Sequence, residues 1–177
     1  MLELLARALD GNEPDPRRQV IHGVGGVGKT HVAIEYAYQH REEYDVVWWL
    51  PAQDESAMAV AYAAMVRTLG GNPPSDATPD ELRDALEKRL ALMGRWLLVF
   101  DNAHDAESIR RYLPPVGEHG AIIITSRNPN WRGTAQPFCL RVFERADSVA
   151  FLKKRTGRNE TPAAGQKLAQ ALGDLLR

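Results

Sequence analysis

Gly23-Val24-Gly25-Gly26-Val27-Gly28-Lys29-Thr30 is the stretch on which the fold of this chain turns. It satisfies G-x-x-x-x-G-K-[S/T] and follows a short apolar run, Gln19-Val20-Ile21-His22. It precedes a segment, Lys29 to about Arg41, in which Val32, Ala33, Tyr36 and Ala37 recur at helical period. A strand, a glycine-rich turn and a helix in that order make a cradle for a polyphosphate. Several backbone N–H groups must converge on the anion, and glycines let the chain curl that closely without Cβ clashes. The helix start aims free N–H groups and the positive dipole end at the same place. Lys29 adds a point charge for the terminal phosphates, and the Thr30 hydroxyl suits Mg²⁺. The expected binding set is therefore Gly23, Val24, Gly25, Gly26, Val27, Gly28, Lys29 and Thr30, with His31 directly after.

Gly23-x-Gly25-x-x-Gly28 is also a dinucleotide fingerprint. That reading wants an acid at the end of the second strand to hold a ribose, yet Leu50-Pro51-Ala52-Gln53 intervenes before Asp54. It also leaves Lys29 and Thr30 without a task.

Outward from this loop, strand and helix signals alternate. Tyr44–Leu50 is β-branched and aromatic and reads as a second strand, followed by a helix over 54–69 that Gly70-Gly71-Asn72-Pro73-Pro74 breaks. Thr78-Pro79-Asp80-Glu81 is a capping box with proline at the first helical position, predicting a helix to about Met93. Trp96–Phe100 and Ala121–Thr125 are continuous apolar runs, and Phe138–Val142 is a fifth strand candidate. A short helix over 106–113, an opening helix ending at Asp10-Gly11 and helical patterns at 146–156 and 162–176 complete the pass. Strands without polar alternation are buried on both faces, which predicts a mainly parallel α/β sheet flanked by helices. The expected organisation is a phosphate-binding unit over 1–143, with 1–18 as N-terminal helix and linker, and a short helical extension over 144–177.

A phosphate loop needs a second handle for Mg²⁺, normally an Asp closing an apolar strand, and Asp101 after Trp96–Phe100 supplies it. Asn102 stands where hydrolytic relatives often carry a carboxylate, and an amide cannot accept a proton. His104 and Asp105 are nearby substitutes for that base, or else turn and capping residues. Arg127, after Thr125-Ser126, ends a strand where a guanidinium reaches a γ-phosphate. Lys29, Asp101 and Arg127 are thus the candidates for chemistry, and Thr30 and Asp101 those for metal.

The 177 residues carry 22 basic and 23 acidic side chains, a net charge of −1, so nothing global calls for nucleic acid or an anionic membrane. Any bound anion needs a local site. The apolar fraction of 44% and charged fraction of 25% exclude a disordered tail or a disulfide mini-protein. No apolar run is long enough for a bilayer, no signal peptide is recognisable, and the single cysteine fits a reducing compartment, so a cytoplasmic location is expected. Cys139 reads as a small core residue, and the tryptophans near strands as core. Trp131, in the loop after Arg127, is left between core and contact with a ligand or partner. Lys153-Lys154-Arg155 reads as a solvated helix face, and no cluster has zinc spacing.

The phosphate loop, L-L-V-F-D-N and I-I-I-T-S-R, in this order, resemble the NB-ARC domain of the STAND class of P-loop ATPases, in its bacterial regulator form. The likeness runs from about Gln19 onward, through V-V-W-W-L, L-R-V-F-E-R-A-D-S-V-A-F-L and L-A-Q-A-L-G. It implies a five-stranded sheet with the Arg127 strand between those of the phosphate loop and Asp101. It implies ADP or ATP with Mg²⁺ as ligands, ADP held at rest and exchanged for ATP to oligomerise, and attached effector and repeat sensor domains. The family continues L-G-x-L-P-L-A, whereas this chain reads Leu172-Gly173-Asp174-Leu175-Leu176-Arg177. On that reading it is a fragment or a shortened relative whose helical ARC-like subdomain is only begun. Three functions stay open here: an adenine-nucleotide switch with slow hydrolysis, a P-loop ATPase or kinase with true turnover, and an interaction module with a vestigial loop. Asp101-Asn102-Ala103-His104 is not D-x-x-G, which speaks against a GTPase.

Overall fold

The alternation of apolar runs and helical periods produces five parallel strands with helices on both faces. The computed structural model describes residues 2–10, 17–142, 144–156, 162–171 and 173. The linker prolines Pro14 and Pro16, the boundary residue Phe143 and most of Leu172–Arg177 lie outside the described residues. The elements are α1 (Leu2–Asp10), β1 (Arg18–His22), α2 (Lys29–Gln39), β2 (Val46–Pro51), α3 (Glu55–Thr68), α4 (Pro79–Leu90), β3 (Trp96–Ala103), α5 (Ala106–Ile109), β4 (Gly120–Ser126), β5 (Gln136–Cys139), α6 (Arg145–Thr156) and α7 (Pro162–Ala171). The strand order is β2-β3-β4-β1-β5, with every pair parallel. The Arg127 strand therefore lies between the other two site strands, as the resemblance implies.

The apolar runs divide their side chains between two cores. Val20, Leu98, Phe100, Ile122 and Ile124 face α3 and α4, meeting Met58, Tyr62, Met65, Leu82 and Leu86. Ile21, Leu97, Val99, Ala121 and Ile123 face α1 and α2, meeting Leu5, Leu9, Val32, Ala33 and Tyr36. Alternating side chains of one strand thus both land in apolar surroundings, which is why no polar alternation shows. The capping box at Thr78 forms: its hydroxyl accepts from the Glu81 N–H while the Glu81 carboxylate accepts from the Thr78 N–H. Such a cap stabilises the start of α4 by about 1 kcal/mol.

Two expectations are corrected and one open reading is decided. The fifth strand is Gln136–Cys139, two residues earlier than predicted, because an edge strand tolerates Pro137 and pairs only with β1. Cys139 is exposed rather than core, since it closes that edge strand. Trp131 folds back under its loop, is 1% exposed and joins the α3–α4 core, its indole N–H donating to the Asn128 carbonyl at 2.9 Å. It is therefore not available to a ligand. Helices α6 and α7 pack on one another, with Val149 against Gly165 and the Arg145 guanidinium donating to the Gln166 carbonyl.

Candidate functional site

Parallel strands point their C-terminal ends the same way, so His22, Pro51, Asp101 and Ser126 all arrive at one edge of the sheet. Ligands of open α/β sheets bind at that edge. After His22 the chain turns at Gly23, where a Cβ would stand 2.4 Å from the Leu140 carbonyl oxygen, so only glycine fits. Gly28 then caps α2 with φ 99, in the left-handed region, and supplies no side chain to the first-turn N–H groups.

A cleft of about 560 Å³ opens over this edge. Gly25, Gly26, Gly28, Lys29, Thr30, His31, Asp101 and Arg127, all singled out from sequence, line it. The other three are placed differently. Gly23 and Val24 turn their carbonyls to Lys29, whose Nζ donates to both at 2.9 Å. The Val27 side chain is buried in the α1–α2 core and anchors the loop to the sheet.

Burial holds the Lys29 ammonium pKa below its ordinary value, the nearby Arg127 charge adds to this, and the Asp101 carboxylate opposes it. The Arg127 guanidinium lies beside the loop, close enough that a methyl group on Gly25 would touch its Cζ at 3.6 Å. Two cations and one carboxylate therefore share the cleft, a balance suited to an anionic ligand.

Asp101 is held from two sides. Its Oδ1 accepts from the Thr30 hydroxyl at 2.8 Å and from the Thr125 hydroxyl at 2.6 Å. Adjacent oxygen ligands on octahedral Mg²⁺ stand about 3 Å apart, given metal–oxygen distances near 2.1 Å. The Thr30 and Asp101 oxygens thus already have the spacing of two neighbouring ligand positions, and both are the hard donors that Mg²⁺ takes.

Sequence reasoning missed Thr125 as a site residue, although it lies in the quoted strand, and missed Gln53, Ile34 and Trp49, which also line the cleft. Ala52 N–H donates to the Asp101 carbonyl at 2.8 Å, extending the β2–β3 ladder and setting Gln53 beside Asn102. The Asn102 amide donates to Gln53 Oε1 at 2.8 Å. Asp105 is a cap, its carboxylate accepting from Ser108 N–H, which settles its role as structural; the adjoining His104 is exposed.

The fold and the loop define a P-loop nucleoside-triphosphatase domain that binds nucleotide. Within that class the chain belongs to the NB-ARC family, whose domain matches residues 1–161. It is 38% identical over 115 residues to the regulatory protein AfsR of Streptomyces griseus, covering 60% of this chain and 11% of that protein. It is 30% identical over 137 residues to a nucleotide-binding leucine-rich repeat-like protein of Hyaloscypha variabilis, covering 66% of this chain and 14% of that one. The chain thus spans well under a fifth of the relatives it matches. Its fold is that of a STAND protein with a tetratricopeptide repeat sensor from Pyrococcus horikoshii, with TM-score 0.56 and 18% identity over 96% of this chain and 27% of that one. It is accordingly a nucleotide-binding NB-ARC domain of the STAND class of P-loop NTPases. No described helix is long and apolar enough to cross a membrane.

Proposed function

We propose that this domain is an adenine-nucleotide switch, resting with ADP and activated by exchange for ATP, with slow Mg²⁺-dependent hydrolysis. The observation that carries the reading is that Lys29 and Thr30 at the start of α2, Asp101 on β3 and Arg127 just after β4 converge on one cleft. In it the Lys29 ammonium exchanges the Gly23 and Val24 carbonyls for β- and γ-phosphate oxygens. Backbone N–H groups of 25–30 take the remaining phosphate charge. Thr30 and Asp101 would hold Mg²⁺, which would supply charge neutralisation of the phosphates. Arg127 reaches the γ-phosphate and so distinguishes ATP from ADP. Asn102 offers no base, which keeps turnover slow.

Residues 1–143 form the nucleotide-binding unit and 144–177 begin a helical ARC-like part. The STAND neighbour's repeat sensor supports an arrangement in which effector and repeat sensor domains share the full protein. ATP-dependent self-association, a cytoplasmic location and no nucleic-acid partner complete the reading, the last supported by the net charge of −1.

The test is thermal unfolding with ADP, ATP plus Mg²⁺, and GTP. A ligand that binds only the folded state raises stability by about 2.7 kcal/mol at a hundred times its Kd. Adenine nucleotides raise the midpoint and GTP does not. Arg127→Ala keeps the ADP shift and loses the additional ATP shift. Equal shifts with GTP, or an unchanged ATP preference in Arg127→Ala, would refute the assignment.

A further inference from the structure

Asn102 is, among the described residues, the one non-glycine with positive φ, at 62. The strained backbone sits at a break in the β3–β4 register between Phe100 and Ala103, and it is pinned there because Asn102 N–H donates to the Thr125 hydroxyl at 2.8 Å. Strain over-determined by its surroundings points to a site. Its effect here is to bring the Asn102 side chain across to the end of β2, where Nδ2 donates to Gln53 Oε1. That bond leaves Asn102 Oδ1 as an acceptor and Gln53 Nε2 as a donor, neither hydrogen-bonded among the described residues. Both side chains line the cleft beside Asp101 and Arg127.

One donor and one acceptor, joined to each other and fixed at the metal-side end of the cleft, have the complementarity of a single water molecule. We infer that the Gln53–Asn102 amide pair holds the attacking water of ATP hydrolysis: Gln53 Nε2 donates a hydrogen bond to its oxygen and Asn102 Oδ1 accepts a hydrogen bond from it. This rests on the ATP-hydrolysing reading above. The water oxygen forms the new bond to the γ-phosphorus, and the bond from that phosphorus to the β–γ bridging oxygen breaks, leaving its electron pair on ADP. The amide cannot keep a proton, so the water's proton passes to a γ-phosphoryl oxygen. ATP and water thus give ADP and dihydrogen phosphate. Orientation is supplied and proton removal is not, which makes hydrolysis measurable and slow.

The test is Mg²⁺-dependent ATP turnover by the chain and two variants, with nucleotide affinity measured on each. Gln53 is exposed, and Asp shares with Asn a tolerance of the left-handed backbone, so both variants keep the fold. Gln53→Ala lowers kcat at least about tenfold and leaves KM within about twofold. Asn102→Asp gains a base, so kcat rises at least about tenfold. Gln53→Ala at the original kcat, or Asn102→Asp without that gain, overturns the inference. ATP binding with no turnover overturns it together with the hydrolysis in that reading and leaves the binding switch, whereas no nucleotide binding overturns the whole of both.

Discussion

Thr125 and Asp101 are joined across neighbouring strands by a 2.6 Å hydrogen bond in which the buried hydroxyl donates to the carboxylate. The same hydroxyl oxygen accepts the Asn102 N–H at 2.8 Å. One side chain on β4 thus fixes both residues that end the apolar part of β3. Thr125→Val keeps the shape and removes both bonds, leaving the Asn102 N–H without this partner. We predict a loss of about 1–3 kcal/mol in urea unfolding and a weaker Mg²⁺-dependent gain in ATP affinity. Thr125→Ser retains the hydroxyl and restores most of both. Equal ATP affinities in the Val and Ser variants would show that Thr125 does not position Asp101.

Lys29 gives a pH signature. Its pKa in the folded protein lies below the ordinary 10.5, so below that value the unfolded chain binds more protons at this residue than the folded one. Stability therefore rises with pH through the window between the lowered and the ordinary value. Lys29→Met removes that contribution. The difference in unfolding free energy between the two proteins, followed at alkaline pH without nucleotide, shifts in favour of the Lys form as pH rises toward 10.5. A difference independent of pH, or of the opposite sign, would mean that burial does not disfavour the ammonium.

The other face of the sheet separates stability from binding. The Tyr62 hydroxyl is buried and donates to the Tyr112 carbonyl at 2.7 Å, and burial drives its pKa well above the usual phenol range. Tyr62→Phe leaves that carbonyl unpaired and costs about 1–2 kcal/mol in denaturant unfolding. Neither residue lines the cleft, so nucleotide affinity at 25 °C stays the same. A large change in affinity would mean that the α3 side communicates with the site.

What could be read from the sequence follows from how each feature is encoded. The central strands were legible because Leu97–Phe100 and Ala121–Ile124 are buried on both faces. Lys29 and Thr30 were legible because loop chemistry fixes their spacing, and Asp101 and Arg127 because each stands at a strand end. Gln53 and Thr125 act through contacts across strands, with partners 49 and 24 residues away, and no local pattern records such a partner. The positive φ of Asn102 depends on the register break beside it. Cys139 was misjudged and Trp131 left open for a related reason: burial belongs to the path of the chain, not to the residue type. A loop that folds inward buries its tryptophan, and an edge strand exposes its cysteine.

The most direct test of the switch is calorimetric titration of the chain and of Lys29→Ala with ATP plus Mg²⁺ and with ADP. The account predicts saturable one-to-one binding of both nucleotides, lost by about a hundredfold or more in Lys29→Ala, because the ammonium that leaves the Gly23 and Val24 carbonyls is the phosphate's main charge partner. Equal binding by the two proteins, or none by either, would contradict it.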